Sequence, residues 1–142
     1  MNENIVRELS GAALAYLGDA YLELLTRRFL ISLRLTGSGK LNHLALRFVK
    51  ATEQSAAVER ILPLLTEEEE YIYKRGRNAN GISIPKSASA IEYRRATGFE
   101  ALFGFFDITG RADRADELFA AAFSVQIEEI MTEMKGEPKC QK

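Results

Sequence analysis

Apolar residues recur every three or four positions along most of the chain, a spacing that predicts amphipathic α-helices. No segment shows the sustained alternation of a β-strand, and no internal repeat is present. The first helix is expected over about residues 9–33. Its predicted buried face carries Leu14, Leu17, Tyr21, Leu24, Leu25 and Phe29.

Turn signals divide the rest of the chain into further helices. A Gly-Ser-Gly turn at 37–39 precedes a second predicted helix, which ends near Pro63. Residues 79–86 are expected to form a loop, and a last helix is expected over about 113–134. The pattern therefore predicts an all-α fold with five or more helices.

Two capping boxes mark the starts of the helices between these segments. Thr66 is followed by acids up to Glu69, and Ser89 is followed by Glu92. Gly110 is expected to end the second of these helices. The face that this helix is predicted to bury carries Phe99, Leu102, Phe103 and Phe106.

Length and composition indicate one ordinary globular domain. The 142 residues are 46% hydrophobic and 27% charged, enough for a single core. We expect the domain over residues 1–134 and a disordered polar tail over 135–142. The apolar runs are too short for a membrane span, and the acidic N-terminus does not resemble a secretory signal. A cytoplasmic protein is therefore expected.

Two acidic residues stand inside segments that otherwise have the pattern of apolar helices. Asp19 lies in AYLGDAYLE and Glu100 lies in FEALFGFFD. Because a carboxylate in a core-forming segment is costly unless something compensates it, two in similar settings suggest a shared cation. Gly104, one turn after Glu100, would leave room for a ligand or a neighbouring backbone. The alternative is a surface Asp, a surface Glu and a helix-packing glycine, and periodicity favours neither.

The scarcity of other ligand types limits which metal such a site could hold. His43 is the only histidine and Cys140 the only cysteine, so neither a His pair nor a cysteine cage can form within the chain. Oxygen ligands would have to predominate, which favours Mg²⁺ or Mn²⁺.

Positive charge is concentrated in one part of a chain whose net charge is −1. Between residues 74 and 95, six basic residues are opposed by Glu92 alone, a local excess of +5. Such a cluster is typical of a surface that binds a polyanion. Helix termination explains only Lys74 and Arg75, whose charges suit the negative end of a helix. We define the basic patch as Lys74, Arg75, Arg77, Asn78, Lys86, Arg94 and Arg95.

The motif YLGDA followed by FEALFG resembles the two catalytic segments of the ribonuclease III family. KRGRNA followed by PK, and the absence of a recognisable RNA-binding domain after residue 134, favour its Mini-III branch. The resemblance covers about residues 8–133. It implies a homodimeric, helical, Mg²⁺-dependent endoribonuclease that cuts double-stranded RNA and leaves 5′-phosphates, with Mn²⁺ as an alternative ion. It also implies that Asp19 and Glu100 are the catalytic residues and metal ligands, and that the basic patch binds RNA.

The same resemblance implies further properties. It points to precursor 23S ribosomal RNA as the substrate and to a ribosomal protein as a possible helper. It also suggests that Phe99 and Phe103 could serve the dimer interface. Full-length relatives carry acids where this chain has Ala15 and Thr97, a reduction shared by the Mini-III branch, so water would complete more of the metal shell.

Two other functions are compatible with these residues. A ribonuclease-III-like module could hold structured RNA without cutting it, and Ala15 and Thr97 are the positions that favour this alternative. A helical interaction domain could instead dock an acidic protein on the basic patch.

Several side chains near the two acids allow more than one interpretation. Glu23 could join the metal shell, but its spacing to Arg27 favours a surface ion pair. Asp107 is expected to be solvated, and His43 to be a packing or surface residue with RNA contact as the alternative. Tyr16 and Tyr93 could line the site or belong to the core.

Overall fold

The structure is a computed structural model that describes residues 3–81, 83–84, 86 and 89–136. No strand occurs in this part of the chain, which confirms the all-α prediction. None of its helices combines the length and hydropathy that a membrane span needs. The described elements are α1 (Glu3–Glu8), α2 (Gly11–Ser32), α3 (Ser38–Val49), α4 (Ala51–Ile61), a 3₁₀ turn (Leu62–Leu64), α5 (Glu67–Arg77), α6 (Ala90–Ile108), α7 (Ala112–Ala122) and α8 (Ser124–Gly136).

Two predicted helices are each broken into two. The second predicted helix is interrupted at Lys50, which is extended between α3 and α4. The buried Gln54 amide donates to the carbonyl of Phe48 at 3.2 Å and so satisfies a group near the break. The last predicted helix is interrupted at Phe123, where the guanidinium of Arg60 donates to the carbonyl of Ala122 at 2.6 Å. Neither hydrogen bond alters the spacing of apolar residues, so local periodicity does not reveal the breaks.

The predicted helix starts are confirmed, and the ends differ by a few residues. Thr66 and Glu69 form the reciprocal capping box of α5, and Ser89 accepts a hydrogen bond from the backbone of Glu92 at 3.1 Å. Gly110 follows α6 with a positive φ of 69°. Helix α1 was not predicted. Helix α8 continues two residues beyond the predicted domain boundary, and residues 137–142 lie outside the described part, so the tail stays a prediction.

Helix α6 forms the centre of the core, packed mainly against α2, α4 and α5. The prediction that α6 buries Phe99, Leu102, Phe103 and Phe106 is confirmed, because all four are fully buried. The suggestion that Phe99 and Phe103 serve a dimer interface is wrong. Their rings lie 5.0 Å apart inside the subunit, and Phe99 also contacts Phe123.

The buried face of α2 is rotated from the predicted one. Leu24 is exposed, and Leu17, Tyr21 and Phe29 are only half-buried. The face that meets the core instead passes through Leu14, Ala15, Gly18, Leu22 and Leu25. Small residues on this face allow α6 to approach closely, and a pattern of large apolar side chains does not mark such a contact.

Two glycines face backbone at the crossing of α2 over α6. A Cβ atom at Gly18 would overlap with the carbonyl oxygen of Glu100, and one at Gly104 would overlap with the carbonyl oxygen of Leu14. The two helices therefore touch without intervening side chains.

A second crossing of the same kind joins α5 to α6. A Cβ at Gly76 would lie 2.9 Å from the Cα of Gly98, and a Cβ at Gly98 would lie 2.7 Å from the carbonyl oxygen of Tyr73. At both crossings the main chain of α6 lies directly against the main chain of its neighbour, so the positions of α2 and α5 relative to α6 are tightly fixed.

We expect Gly104→Ala to lower the free energy of unfolding by about 3 kcal/mol or more, because its methyl group would press on the backbone of α2. Gly39→Ala is the matched control, since a Cβ there meets nothing within 4 Å. It should raise stability by up to about 1 kcal/mol through helix propensity. Urea unfolding followed by circular dichroism measures the free energy of unfolding of both variants. Equal changes in Gly104→Ala and Gly39→Ala would contradict the close packing at this crossing.

Candidate active site

Asp19 of α2 and Glu100 of α6 lie together at the helix crossing. Gly18, the residue before Asp19, packs directly on the backbone of Glu100. Both side chains line the same cleft, and Asp19 raises the pKa of Glu100 through its charge and a side-chain hydrogen bond. The structure thus brings together two acids that are 81 positions apart in sequence, as the proposal of a shared cation requires.

The acid pair opens into a cleft of about 220 Å³ between α2 and α6. Asp19 is exposed, whereas Glu100 is mostly covered and forms part of the cleft floor. Small methyl groups and two tyrosines complete the walls. The lining residues are Ala12, Ala15, Tyr16, Asp19, Tyr93, Thr97 and Glu100.

The surroundings of Glu100 make its ionised form unfavourable. Burial, the charge of Asp19 and the hydrogen bond between the two carboxyl groups together raise the pKa of Glu100 to about 9. No basic side chain contributes an opposing effect on this pKa. At neutral pH Glu100 therefore holds a proton in the protein alone, and a cation is the other means of relieving the repulsion.

The donor set fits a divalent cation that keeps much of its water. Within the described residues, no cluster of three or more His, Cys, Asp or Glu side chains is placed to hold a metal. Asp19 and Glu100 would supply hard oxygen ligands, and the open cleft has room for water. Mg²⁺ and Mn²⁺ suit this arrangement, because Mg²⁺ in particular is commonly held by one or two carboxylates and several waters.

Two uncharged residues that the sequence analysis singled out also belong to the cleft. Ala15 and Thr97 are both buried, and both line the cleft. The Thr97 hydroxyl donates a hydrogen bond to the carbonyl of Tyr93 at 2.9 Å.

The other acids that the sequence offered lie outside the cleft lining. Glu23 accepts a hydrogen bond from Arg27 at 2.8 Å, which confirms the predicted ion pair. Asp107 is exposed near the end of α6, and His43 is exposed on α3. Both tyrosines considered for the site, Tyr16 and Tyr93, do line the cleft.

Ala12 is the one lining residue that the sequence reasoning missed. It lies on α2 one turn before Ala15 and Tyr16, so helical spacing from Asp19 could have placed it on the same face. Its methyl group has no functional chemistry that would distinguish it from other alanines in the sequence.

Two arginines of the basic patch are engaged with backbone carbonyls. Arg75 donates to the carbonyls of Val6 and Leu9 and joins α5 to the start of α2. Arg94 donates to the carbonyls of Arg77 and Ala79, at 3.3 and 3.1 Å, just beyond the end of α5. Both guanidinium groups therefore have structural partners, and their role in binding RNA stays a prediction.

The remaining members of the basic patch are more accessible. Lys74 pairs with Glu70 at 2.9 Å, and Arg95 pairs with Glu59, both at the surface. Arg77 lies over the ring of Tyr73 and donates to the exposed side chain of Asn78. Lys86 is exposed. Because exposed ion pairs contribute little, Lys74 and Arg95 can exchange their partners for phosphate groups at small cost.

Comparison of the sequence with known proteins identifies the family of the chain. The Ribonuclease III domain matches residues 12–111. A mini-ribonuclease 3 from Symbiobacterium thermophilum is 45% identical over 109 residues, covering 77% of this chain and 84% of that protein. A mini-ribonuclease 3 from Enterococcus faecalis is 43% identical, covering 79% of this chain and 86% of that protein.

Structural comparison agrees with the sequence matches. A crystal structure of a Fusobacterium nucleatum protein superposes with a TM-score of 0.76 at 29% identity, covering 85% of this chain and 97% of that one. The domain match and these relatives identify an endoribonuclease that acts on double-stranded RNA. The chain belongs to the ribonuclease III family and, within it, to the mini-ribonuclease III group.

Glu100→Gln should remove a pH dependence of stability from the metal-free protein. The pKa of Glu100 is raised from 4.5 to about 9 on folding, so the folded wild type keeps a proton that the unfolded chain releases. Its stability therefore falls as pH rises between these values. We expect the variant to match the wild type near pH 4.5 and to exceed it by about 1–3 kcal/mol at pH 8.

Urea unfolding in EDTA at both pH values measures this difference. Glu128→Gln, which removes an exposed acid from α8, is the control and should follow the wild type at both. A Glu100→Gln curve parallel to that of the wild type would contradict the raised pKa.

Proposed function

We propose that this endoribonuclease is Mg²⁺-dependent, with Asp19 and Glu100 as its catalytic metal ligands and Mn²⁺ as an alternative ion. The observation that carries the proposal is the contact between these two carboxyl groups in an open cleft, with no basic partner among the described residues. A pair of ionised carboxylates about 4 Å apart repels by roughly 4 kcal/mol at an effective dielectric of 20. A divalent cation removes that repulsion.

The chemistry follows from the two ionisation states of Glu100. In the protein alone Glu100 keeps its proton, and it must release that proton before both acids can act as ligands. When bound, the cation would activate water, polarise the scissile phosphate and stabilise the leaving oxygen. We expect hydrolysis of the phosphodiester to leave a 5′-phosphate and a 3′-hydroxyl.

The basic patch is the proposed surface for the RNA backbone. Duplex RNA is recognised mainly through its shape, phosphates and 2′-hydroxyls, so backbone contacts are the relevant ones. Arg77 and Lys86 are the strongest candidates, because within the described part of the chain neither donates to a distant backbone carbonyl. Arg94 connects this surface to α6, the helix that carries Glu100.

The proposal includes a homodimer. Support comes from apolar side chains that α2 exposes, with Tyr16 85%, Leu24 44% and Ile31 63% accessible to solvent. Because these residues lie on one side of α2 and Tyr16 also lines the cleft, a dimer formed there would bring two clefts close together. Each subunit would then cut one strand of the duplex.

The proposed biological role is maturation of precursor 23S ribosomal RNA in the cytoplasm. It rests on membership of the mini-ribonuclease III group and on the resemblance of the catalytic motifs. A ribosomal protein bound to the precursor would add affinity that the small basic patch does not supply.

Cleavage of a defined RNA duplex with and without Mg²⁺ tests the two acids directly. We expect Asp19→Asn and Glu100→Gln each to slow turnover at least about a hundredfold, because each weakens one ligand while preserving shape. Glu23→Gln is the matched control, one turn further along α2, and should stay within twofold of wild type.

Turnover above a tenth of wild type in either catalytic variant would argue against that residue as a ligand. Binding without cutting, even on a ribosomal precursor with its proteins, would favour an RNA-binding module. Mg²⁺-independent binding, equal for duplex RNA and an acidic protein, would favour an interaction domain.

The basic patch is tested by Arg77→Ala combined with Lys86→Ala, in a Glu100→Gln background so that the RNA stays intact. We expect about tenfold weaker duplex binding and a salt dependence whose slope falls by about one to two. Arg7→Ala with Lys135→Ala removes equal charge from exposed positions outside the patch and should leave the slope unchanged. An unaltered slope in the patch variant would place the RNA elsewhere.

A further inference from the structure

Among the described residues that line the cleft, Thr97 is the only aliphatic side chain that carries a hydroxyl. Its neighbours there are the two acids, two alanines and two tyrosines. It is 5% exposed and lies one turn before Glu100 on α6. Side chains at this spacing stand next to each other on a helix face, with about 5–6 Å between their Cβ atoms.

The hydrogen bonding of Thr97 determines what its oxygen can recognise. The hydroxyl hydrogen is committed to the carbonyl of Tyr93, at an oxygen–oxygen distance of 2.9 Å. A threonine oxygen retains acceptor capacity after donating its hydrogen. Toward the cleft, Thr97 can therefore accept a hydrogen bond but not donate one, so it suits a water molecule and not a phosphate oxygen.

We propose that Thr97 is a positioning residue that holds a water molecule of the hydration shell of the cation bound by Asp19 and Glu100. This inference rests on the proposed Mg²⁺ dependence. A cation with two carboxylate ligands retains several waters, and each of these is a strong hydrogen-bond donor. Thr97 offers an acceptor fixed in direction by its bond to α6, so it stabilises the loaded site without touching the metal.

Thr26 provides a matched comparison for the structural part of this role. Its hydroxyl donates to the carbonyl of Leu22 at 2.8 Å, the same bond to the preceding helical turn, and it is 1% exposed. It lies on α2 but does not line the cleft. Thr97→Val and Thr26→Val thus remove equivalent intrahelical bonds, and only the first removes an acceptor from the site.

Mn²⁺ affinity is measured by electron paramagnetic resonance, which detects the free ion. The rise in Tm on addition of Mg²⁺ provides a second measurement. We expect Thr97→Val to weaken Mn²⁺ binding by about threefold to tenfold, as the loss of one hydrogen bond does. Thr97→Ser should restore binding to within about twofold of wild type. Thr26→Val should leave it unchanged, whatever its effect on Tm without metal.

Three results would overturn the inference while leaving the cofactor proposal intact, provided that Asp19→Asn abolishes Mn²⁺ binding. They are wild-type affinity in Thr97→Val, equal weakening in Thr26→Val, and failure of Thr97→Ser to restore binding. If wild type and Asp19→Asn bind Mn²⁺ equally, the cofactor proposal itself fails, and the role of Thr97 fails with it.

Discussion

The backbone contact between α2 and α6 at Gly18 and Gly104 is the constraint on which the site depends. Each glycine faces a carbonyl of the opposite helix, so neither position tolerates a side chain without movement of a helix. Asp19 follows one glycine, and Glu100 supplies the carbonyl against which that glycine packs. The acid pair therefore results from backbone packing at this crossing, and not from long side chains reaching across a gap.

This closeness makes it unfavourable for both acids to be ionised at the same time. A pair of acids with no basic neighbour keeps a proton at neutral pH, as the raised pKa of Glu100 indicates. Elsewhere the fold treats a buried acid differently. Glu69 is buried, yet hydrogen bonds from Arg114 and Thr66 outweigh that burial and lower its pKa. The contrast is consistent with the proposed role of the Asp19–Glu100 pair as cation ligands.

Much of this architecture could be predicted from the sequence. The helical class, the caps at Thr66 and Ser89 and the buried phenylalanines of α6 follow from local spacing. The breaks at Lys50 and Phe123 do not, because the hydrogen bonds that Gln54 and Arg60 donate to carbonyls near the breaks leave the spacing of apolar residues unchanged. Likewise, a local excess of charge identified the basic patch but could not show that two of its arginines hold backbone carbonyls.

The glycine crossing also determines which parts of the site can be redesigned. The main-chain contact sets the distance between Asp19 and Glu100. Substitutions elsewhere in the core should therefore change this distance little, as long as α2 and α6 keep their contact. Tyr16 and Tyr93 stand at the walls of the cleft, outside that contact. Substitution of these two aromatic rings should therefore alter the surface of the cleft while leaving the separation of the acids unchanged.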